Sequence, residues 1–383
     1  MKNKFIKFLP AVIFLVFTFS LSVLFFALPK KDFSDYEKRY LAEAPDFSFS
    51  NLLSGGLVKE IDGDSEKGTS GYVSDHFPFR SFFVGLNSYY NLSFSNTANS
   101  DYYFAKDGFI ITKPYDTSRL DTNIRVLNSF SENINVTLGV VPSAGNILED
   151  KLPKNHISYK DAEVYEKLKA ELNENVNYCD LEAVMKDYYS RVEAPYYKTD
   201  HHWTTPAAYE AYKALSSELA YIPTEEDQFT KTEYEGFYGT TYSSSGYFLA
   251  KPDTLVLWEY DAEGSNITVE IHEGETVKNY DSMFFLNHLD EPDMYPVFLD
   301  GNHSLVKIKN PNAKGGKLLV IKDSYAHALV PFLADNYSEI VMVDMRYYKE
   351  NVTELCKAEG IEDALVLYSI SNFCTDTGLA FLE

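Results

Sequence analysis

Lys317-Leu318-Leu319-Val320-Ile321-Lys322-Asp323-Ser324-Tyr325-Ala326-His327 is the stretch on which the fold turns. An apolar, β-branched run ends in two charged residues and a serine, and a helical pattern follows over Tyr325–Asp335. That is a buried strand running into a helix, with Ser324 at the turn. The same alternation recurs on either side. Strands are expected at Val136–Val141, Val176–Asp180, Ile340–Asp344 and Ala364–Ser369, and helices at Ala162–Leu172, Pro206–Leu219 and Val352–Glu359. Strands alternating with helices give an α/β fold: a mostly parallel sheet with helices on both faces. Between about 222 and 310 the pattern changes to aromatic-rich alternating pieces, Thr254–Tyr260 and Ile267–Ile271, expected to be a β-rich insertion. Upstream, Phe79, Phe82, Phe83, Leu86 and Tyr89 recur at helical spacing, so a helix is expected over Ser74–Leu92, with His76 in a structural role.

A serine at such a turn lies at the carboxyl edge of the sheet, where open α/β folds place ligands. The opening amides of the following helix can stabilise an oxyanion there. Equally, a serine in this position is a common helix cap. A second segment adds weight: Tyr197-Lys198-Thr199-Asp200-His201-His202-Trp203-Thr204-Thr205-Pro206. Thr205 before Pro206 is a helix start. In extended chain just ahead of it, Asp200 and His202 project to one side and His201 to the other. A carboxylate beside an imidazole fixes its tautomer, as acid–histidine pairs require. A structural ion pair, or metal ligation by Asp200, His201 and His202, stands as the alternative, although adjacent histidines on opposite faces suit a metal poorly. His327, a turn into the second helix, is a lesser candidate for the base.

Composition narrows the partners. Asp plus Glu number 57 and Lys plus Arg 34, a net charge of −23 with no basic stripe, which disfavours nucleic acid. Cys179, Cys356 and Cys374 form no metal or disulfide pattern and are expected as buried free thiols. No cofactor or metal is expected. At the N-terminus, Lys2, Lys4 and Lys7 in a short cytoplasmic tail (1–7) precede an apolar run from Phe8 to Leu28. Its 21 residues are enough to cross a bilayer core of ~30 Å. Phe26-Ala27-Leu28 is a poor cleavage site, so an uncleaved single-pass anchor is favoured over a signal peptide, with the rest of the chain outside the cytoplasm. A polar juxtamembrane stalk is expected over 29–70 and the main domain over 71–383.

Thr-Asp-His-His-Trp-Thr at 199–204 together with Ile-Lys-Asp-Ser-Tyr-Ala at 321–326 resembles the DHHW proteins of Gram-positive bacteria. These are similar to the SGNH-type acetyltransferase domains of periplasmic alginate O-acetylation proteins. The resemblance covers roughly 70–383, with supporting pieces at Asp75–Arg80 and Tyr102–Ile111. It implies a circularly permuted SGNH-like sheet, because the Asp/His block precedes the serine block by 122 residues, the reverse of ordinary SGNH hydrolases. Lys317–Ile321, Ile340–Asp344 and Ala364–Ser369 would then be its first three strands, with Val136–Val141 and Val176–Asp180 the fourth and fifth. Lys322 stands where the hydrolases have glycine, and Asp-x-His replaces Asp-x-x-His, a spacing shared with the alginate proteins. The resemblance makes Asn372 the candidate oxyanion donor. The usual glycine donor is missing from Met345-Arg346-Tyr347-Tyr348, which leaves Arg346 to meet substrate or anion, or to form a surface ion pair.

The expected function is an extracytoplasmic serine O-acyltransferase, O-acetyl by resemblance, acting on a cell-envelope or secreted polysaccharide. Ser324 would be the nucleophile, His202 the general base and acid, and Asp200 the residue that orients the imidazole. Trp203 and Tyr325, taken as exposed, are candidates to stack on sugar faces, with packing around the site as the alternative. By resemblance, the acyl group would come through a membrane-bound O-acyltransferase partner. A carbohydrate esterase with the same triad, and a catalytically inactive polysaccharide-binding or assembly protein, are the competing functions.

Overall fold

The computed structural model describes residues 2–34, 39–64, 69–94, 97–99, 101–192, 194–260, 266–274 and 276–382. Two compact units divide the chain: Met1–Asn96 with Ser243–Phe248, and Thr97–Tyr242 with Leu249–Glu383.

In the first unit, helix α1 (Lys2–Ala27) contains the segment Phe8–Ala27, long and apolar enough to cross a membrane and with none of it buried. Membrane anchors and secretion signals share that property. Within the expected stalk, short helices occupy Phe49–Ser54 and Gly56–Asp62, while positions 35–38 and 65–68 lie outside the described residues. The helix expected over Ser74–Leu92 is two helices, Tyr72–Asp75 and α2 (Arg80–Ser93). Pro78 lacks the N–H that a continuous helix requires, and Phe79 adopts a left-handed backbone at φ 59°. His76 has the structural role expected of it, with Nε2 2.9 Å from the Ala42 carbonyl.

The second unit runs through α3 (Leu120–Phe130), β1 (Asn135–Val141), α4 (Asp161–Glu171), β2 (Val176–Cys179), α5 (Leu181–Tyr189) and α6 (Thr205–Leu215). It continues through β3 (Phe229–Phe237), β4 (Asp253–Tyr260), β5 (Thr268–Glu273), β6 (Thr276–Tyr280) and β7 (Leu305–Lys309). The chain closes with β8 (Gly315–Lys322), α7 (Ala326–Leu333), β9 (Tyr337–Val343), α8 (Val352–Glu359), β10 (Asp363–Ser369) and α9 (Ile370–Thr375).

Eight strands form one sheet in the order β6-β5-β7-β9-β8-β10-β1-β2. The last five, from β9 to β2, are parallel, and β6, β5 and β7 extend the β9 edge antiparallel. Register is fixed by apolar pairs such as Val320↔Met342 and Val320↔Leu365. Strands β3 and β4 pair apart as a two-stranded antiparallel sheet. The segment 222–310 is thus β-rich and antiparallel.

Successive residues of β8 fall into different cores. Leu318 and Val320 pack with α5, α6 and α7, whereas Leu319 and Ile321 pack with α3, α4, α8 and α9. A strand buried on both faces reads as an unbroken apolar run, which is why this stretch discloses the sheet. All three cysteines are free and buried.

Candidate active site

The parallel strands deliver four segments to their carboxyl ends: Ser143 after β1, Ser324 after β8, Asp344–Arg346 after β9 and Ser369–Asn372 at the end of β10. The turn after β8 is held by Asp323, which is fully buried. Its Oδ1 accepts from the Tyr325 amide (2.9 Å), and Oδ2 accepts from the Ser369 amide (2.8 Å), Ser369 Oγ (2.7 Å) and Asn372 Nδ2 (2.8 Å). Helix α7 has no side-chain cap. The Ser324 hydroxyl is therefore not spent on the helix, and its Oγ lies 2.7 Å from His202 Nε2.

The Asp200–His202 segment is bent rather than extended, which corrects the expectation. Tyr196 and Trp203 pair in an antiparallel bridge, the Tyr197 amide donates to the His202 carbonyl (3.2 Å), and the Thr204 amide to that of Pro195 (2.9 Å). In this pinched loop Asp200 Oδ1 accepts both the His202 amide (3.0 Å) and His202 Nδ1 (2.5 Å). Oδ2 accepts from the Thr240 amide (2.8 Å) and Thr240 Oγ1 (2.9 Å). The approach is close enough that a Cβ on Gly239 would lie 2.2 Å from Asp200 Cβ. Burial alone would raise the Asp200 carboxyl, but His202, His201 and these hydrogen bonds outweigh it and hold the group well below the usual carboxylate range. A carboxylate that only accepts keeps the proton of the neutral His202 ring on Nδ1, so Nε2 is free to accept from Ser324.

His201 does not point away. Its ring centroid lies 3.9 Å from that of His202, because the bend turns both rings to one side. Its Nδ1 lies 2.6 Å from Thr240 Oγ1, and since that hydroxyl's proton goes to Asp200, Nδ1 is the donor. The half-buried setting of the His201 ring and the neighbouring imidazole push it down to about 4. Capping also shifts by one position: Thr204, not Thr205, caps α6.

Trp203 is fully buried, its Nε1 donating to the Tyr325 carbonyl at 3.1 Å, so the expectation of an exposed ring for sugar stacking is corrected to packing beneath the site. The same expectation is corrected for Tyr325, which is buried at 5% exposure; it lends its hydroxyl to the His201 carbonyl and lines a cleft of about 270 Å³ with Asp200, His201, Ser143, Ser371 and Asn372. One N–H of Asn372 is committed to Asp323, leaving the other for a ligand. Arg346 meets Asp344 through two bonds, Nε to Oδ1 (2.8 Å) and Nη2 to Oδ2 (2.6 Å), and its Nη2 also reaches Asn302 (3.2 Å). Asp344 is itself fully buried, so this is no surface pair.

The buried Lys322 ammonium bonds Asp344 Oδ2 (3.1 Å) and His327 Nε2 (2.7 Å). Burial also depresses His327 well below its ordinary range. His327 is thus occupied by Lys322, and His202 faces the serine.

Two partners of the pair have no signal near the motifs. Tyr295 lies flat on His202, with centroids 3.7 Å apart and planes 8° apart, and its hydroxyl donates to the Ser324 carbonyl (3.1 Å). Thr240 supports Asp200 from 40 residues away. Asp200, His201 and His202 have ligand atoms within 4.8 Å of one another, a spacing a cation accepts. Yet both Asp200 oxygens, both His202 nitrogens and His201 Nδ1 already have protein partners. The arrangement is a continuous hydrogen-bonded line from Asp200 through His202 to the Ser324 hydroxyl.

An α/β sheet with a serine, a histidine and an aspartate in line at its carboxyl edge has the geometry that a serine nucleophile requires. The chain belongs to the DHHW protein family, whose model matches residues 103–343. Among solved structures, a DHHW family protein from Eubacterium siraeum is similar at a TM-score of 0.61 and 26% identity, over 72% of this chain and 92% of that one. PatB1 of Bacillus cereus, solved with a sulfonyl adduct, aligns at a TM-score of 0.63 and 22% identity, over 73% and 97%. The O-acetyltransferase domain of Pseudomonas putida AlgJ aligns at 0.44 and 14%, over 72% and 93%. No curated protein matches in sequence.

Proposed function

We propose that this chain is a membrane-anchored, extracytoplasmic serine O-acyltransferase that transfers an acyl group, acetyl by family resemblance, to a hydroxyl of a cell-envelope or secreted polysaccharide. The observation that carries the proposal is the hydrogen-bonded line from Asp200 through His202 to Ser324. As Ser324 Oγ attacks the donor carbonyl, its proton passes to His202 Nε2, and Asp200 stabilises the imidazolium. Collapse of the tetrahedral intermediate expels the donor's leaving group, which takes the proton from Nε2, and leaves acyl-Ser324. A sugar hydroxyl then gives its proton to Nε2 and attacks the acyl carbon, and Ser324 departs with that proton. The free N–H of Asn372 is the candidate donor to the oxyanion, and Tyr325 a wall of the acceptor site. Arg346, tied to Asp344, acts through the turn after β9 rather than on substrate.

The sheet order β9-β8-β10-β1-β2 supports a permuted SGNH-like sheet, since it corresponds to 2-1-3-4-5 when β8 is counted first. Residues 8–28 are proposed as the anchor, 71–383 as the catalytic domain and 222–310 as its insertion. The acyl donor is proposed to arrive through a membrane-bound O-acyltransferase.

A sulfonyl fluoride, mapped by mass spectrometry, tests the nucleophile: an adduct on Ser324 is expected, and none in the folded protein would overturn the role. Supplying an acetyl ester with oligosaccharide acceptors then separates the chemistries. Acetylated glycan is the expected product, and free acetate alone would make the protein an esterase.

A further inference from the structure

Helix α2 is amphipathic in the wrong direction for water. Its buried residues are Gly85 and Ser88. A Cβ at Gly85 would lie 2.3 Å from the Phe248 ring, and Ser88 Oγ donates to the Ser245 carbonyl at 2.7 Å, so the packed face is small and polar. The outward face carries Phe82, Leu86 and Tyr90, with Phe79 just before the helix and Phe94 just after it, each more than half exposed. At 3.6 residues per turn these five fall within an arc of roughly 120°. Arg80 is the single charged residue of Arg80–Ser93. A helix facing water shows the reverse pattern, and a contiguous exposed apolar stripe of this kind marks a surface covered by something else.

The end of α1 indicates the cover. Leu28, Pro29, Lys30 and Lys31 line one cavity together with residues 75–82, and the Phe25 ring meets Tyr72 edge-on at 6.0 Å. The start of α2 therefore sits where the apolar segment Phe8–Ala27 stops. A bilayer holding that segment has its headgroup boundary at Lys30 and Lys31, beside Phe79 and Phe82. Aromatic residues concentrate at that depth, and helices with one apolar face lie in it.

We propose that α2 is an interfacial membrane helix, its Phe79–Phe82–Leu86–Tyr90–Phe94 face seated at the headgroup–acyl boundary of the bilayer that α1 spans. The unit is then attached at two points, a span and a surface helix. The inference rests on residues 8–28 being retained as an anchor.

The test uses the full chain in phosphatidylcholine–phosphatidylglycerol liposomes. Leu86→Cys carries a polarity-sensitive fluorophore, and Lys357→Cys on the other unit serves as the control. The native cysteines, being buried, are left in place. At position 86 we expect a blue-shifted emission quenched by brominated lipids and not by iodide, with the opposite at 357. Quenching by iodide and not by lipid at 86 would overturn the proposal. Shielding from both quenchers would also overturn it, in favour of a protein occupant such as a second copy. Intact mass of the membrane-derived protein separates the two premises, since loss of residues 1–28 refutes the anchor whatever the fluorophore reports. Phe82→Cys and Tyr90→Cys, labelled likewise, guard against a misfolded single variant.

Discussion

Replacing Asp200 with Asn keeps the shape of the side chain, removes its charge and halves its accepting capacity. Asp200 accepts four hydrogen bonds, two from His202 at 3.0 and 2.5 Å and two from Thr240 at 2.8 and 2.9 Å. An amide has one acceptor oxygen, so its NH2 must face donors on one side. Turned toward Thr240, it opposes the Thr240 amide. Turned toward His202, it opposes the backbone N–H and forces Nδ1 to accept, which moves the ring proton to Nε2 and leaves nothing to accept the Ser324 proton. Either orientation leaves a buried donor unsatisfied, at about 1–3 kcal/mol of stability. Under the proposed mechanism, the lost imidazolium stabilisation, joined in the second orientation by the wrong tautomer, costs on the order of 10³–10⁴ in turnover, as in Ser-His-Asp relays. The acylation rate with an activated acetyl ester reads the second effect and thermal unfolding the first. The charge also has a pH signature. Because the folded-state pKa of Asp200 is depressed, its stabilising contribution is present above the unfolded value of ~3.9 and is lost as pH falls through the folded value. Wild type should therefore lose stability in acid by an amount that Asp200→Asn does not. A folded Asp200→Asn protein retaining more than about a tenth of wild-type turnover would refute the relay, since either orientation of the amide removes the negative charge that stabilises the imidazolium.

Tyr295→Leu should lower turnover about tenfold while Tyr295→Phe stays near wild type, because the ring that lies on His202 matters more than the hydroxyl bond; steady-state kinetics on both variants checks the split. His201→Ala should cost roughly five- to tenfold in turnover, the worth of about 1 kcal/mol from the lost bond to Thr240, measured in the same ester assay. Asp335 is pushed up to about 7 by burial, and its Oδ2 has no hydrogen-bond partner. With a folded pKa above the unfolded one, wild type loses stability as pH rises from ~4 through 7, so Asp335→Asn should raise the melting temperature at pH 8 and not at pH 4.

Legibility in the sequence depends on distance along the chain. β8 and β10 read correctly because a strand buried on both faces is continuously apolar, and the observed bounds, Gly315–Lys322 and Asp363–Ser369, lie within two residues of those expected. Asp200 and His202 are legible as a pair because they are two residues apart. Their contact, however, comes from a bent loop rather than an extended strand, and that bend is why His201 lies against His202 instead of opposite it. The burial of Trp203 comes from its antiparallel bridge to Tyr196, which a local pattern of one aromatic among polar residues does not announce. Tyr295 and Thr240 come from the aromatic-rich segment, where one tyrosine or threonine among many carries no distinguishing mark. Gly239 beside Thr240 is the one local hint, since a glycine flanking a β-strand often marks a close approach.

The order of polar residues at the end of β8 has its own logic. Lys322, Asp323 and Ser324 follow Ile321 in direct succession, and burying a lysine and an aspartate is costly unless each is fully partnered. Both are: Lys322 through Asp344 and His327, and Asp323 through four donors drawn from its own turn and the end of β10. Burial pushes the Lys322 ammonium down, against the pull of Asp344, and burial would likewise raise Asp344 were it not paired with Arg346 and Lys322. These two side chains pin the turn to the neighbouring strands β9 and β10 on either side of β8. The third has a single side-chain partner among the described residues, the His202 ring. A buried, satisfied network of this kind rigidifies what it encloses. It holds Ser324 Oγ in line with Nε2, and orientation fixed in advance is what the proposed acyl transfer requires of its scaffold.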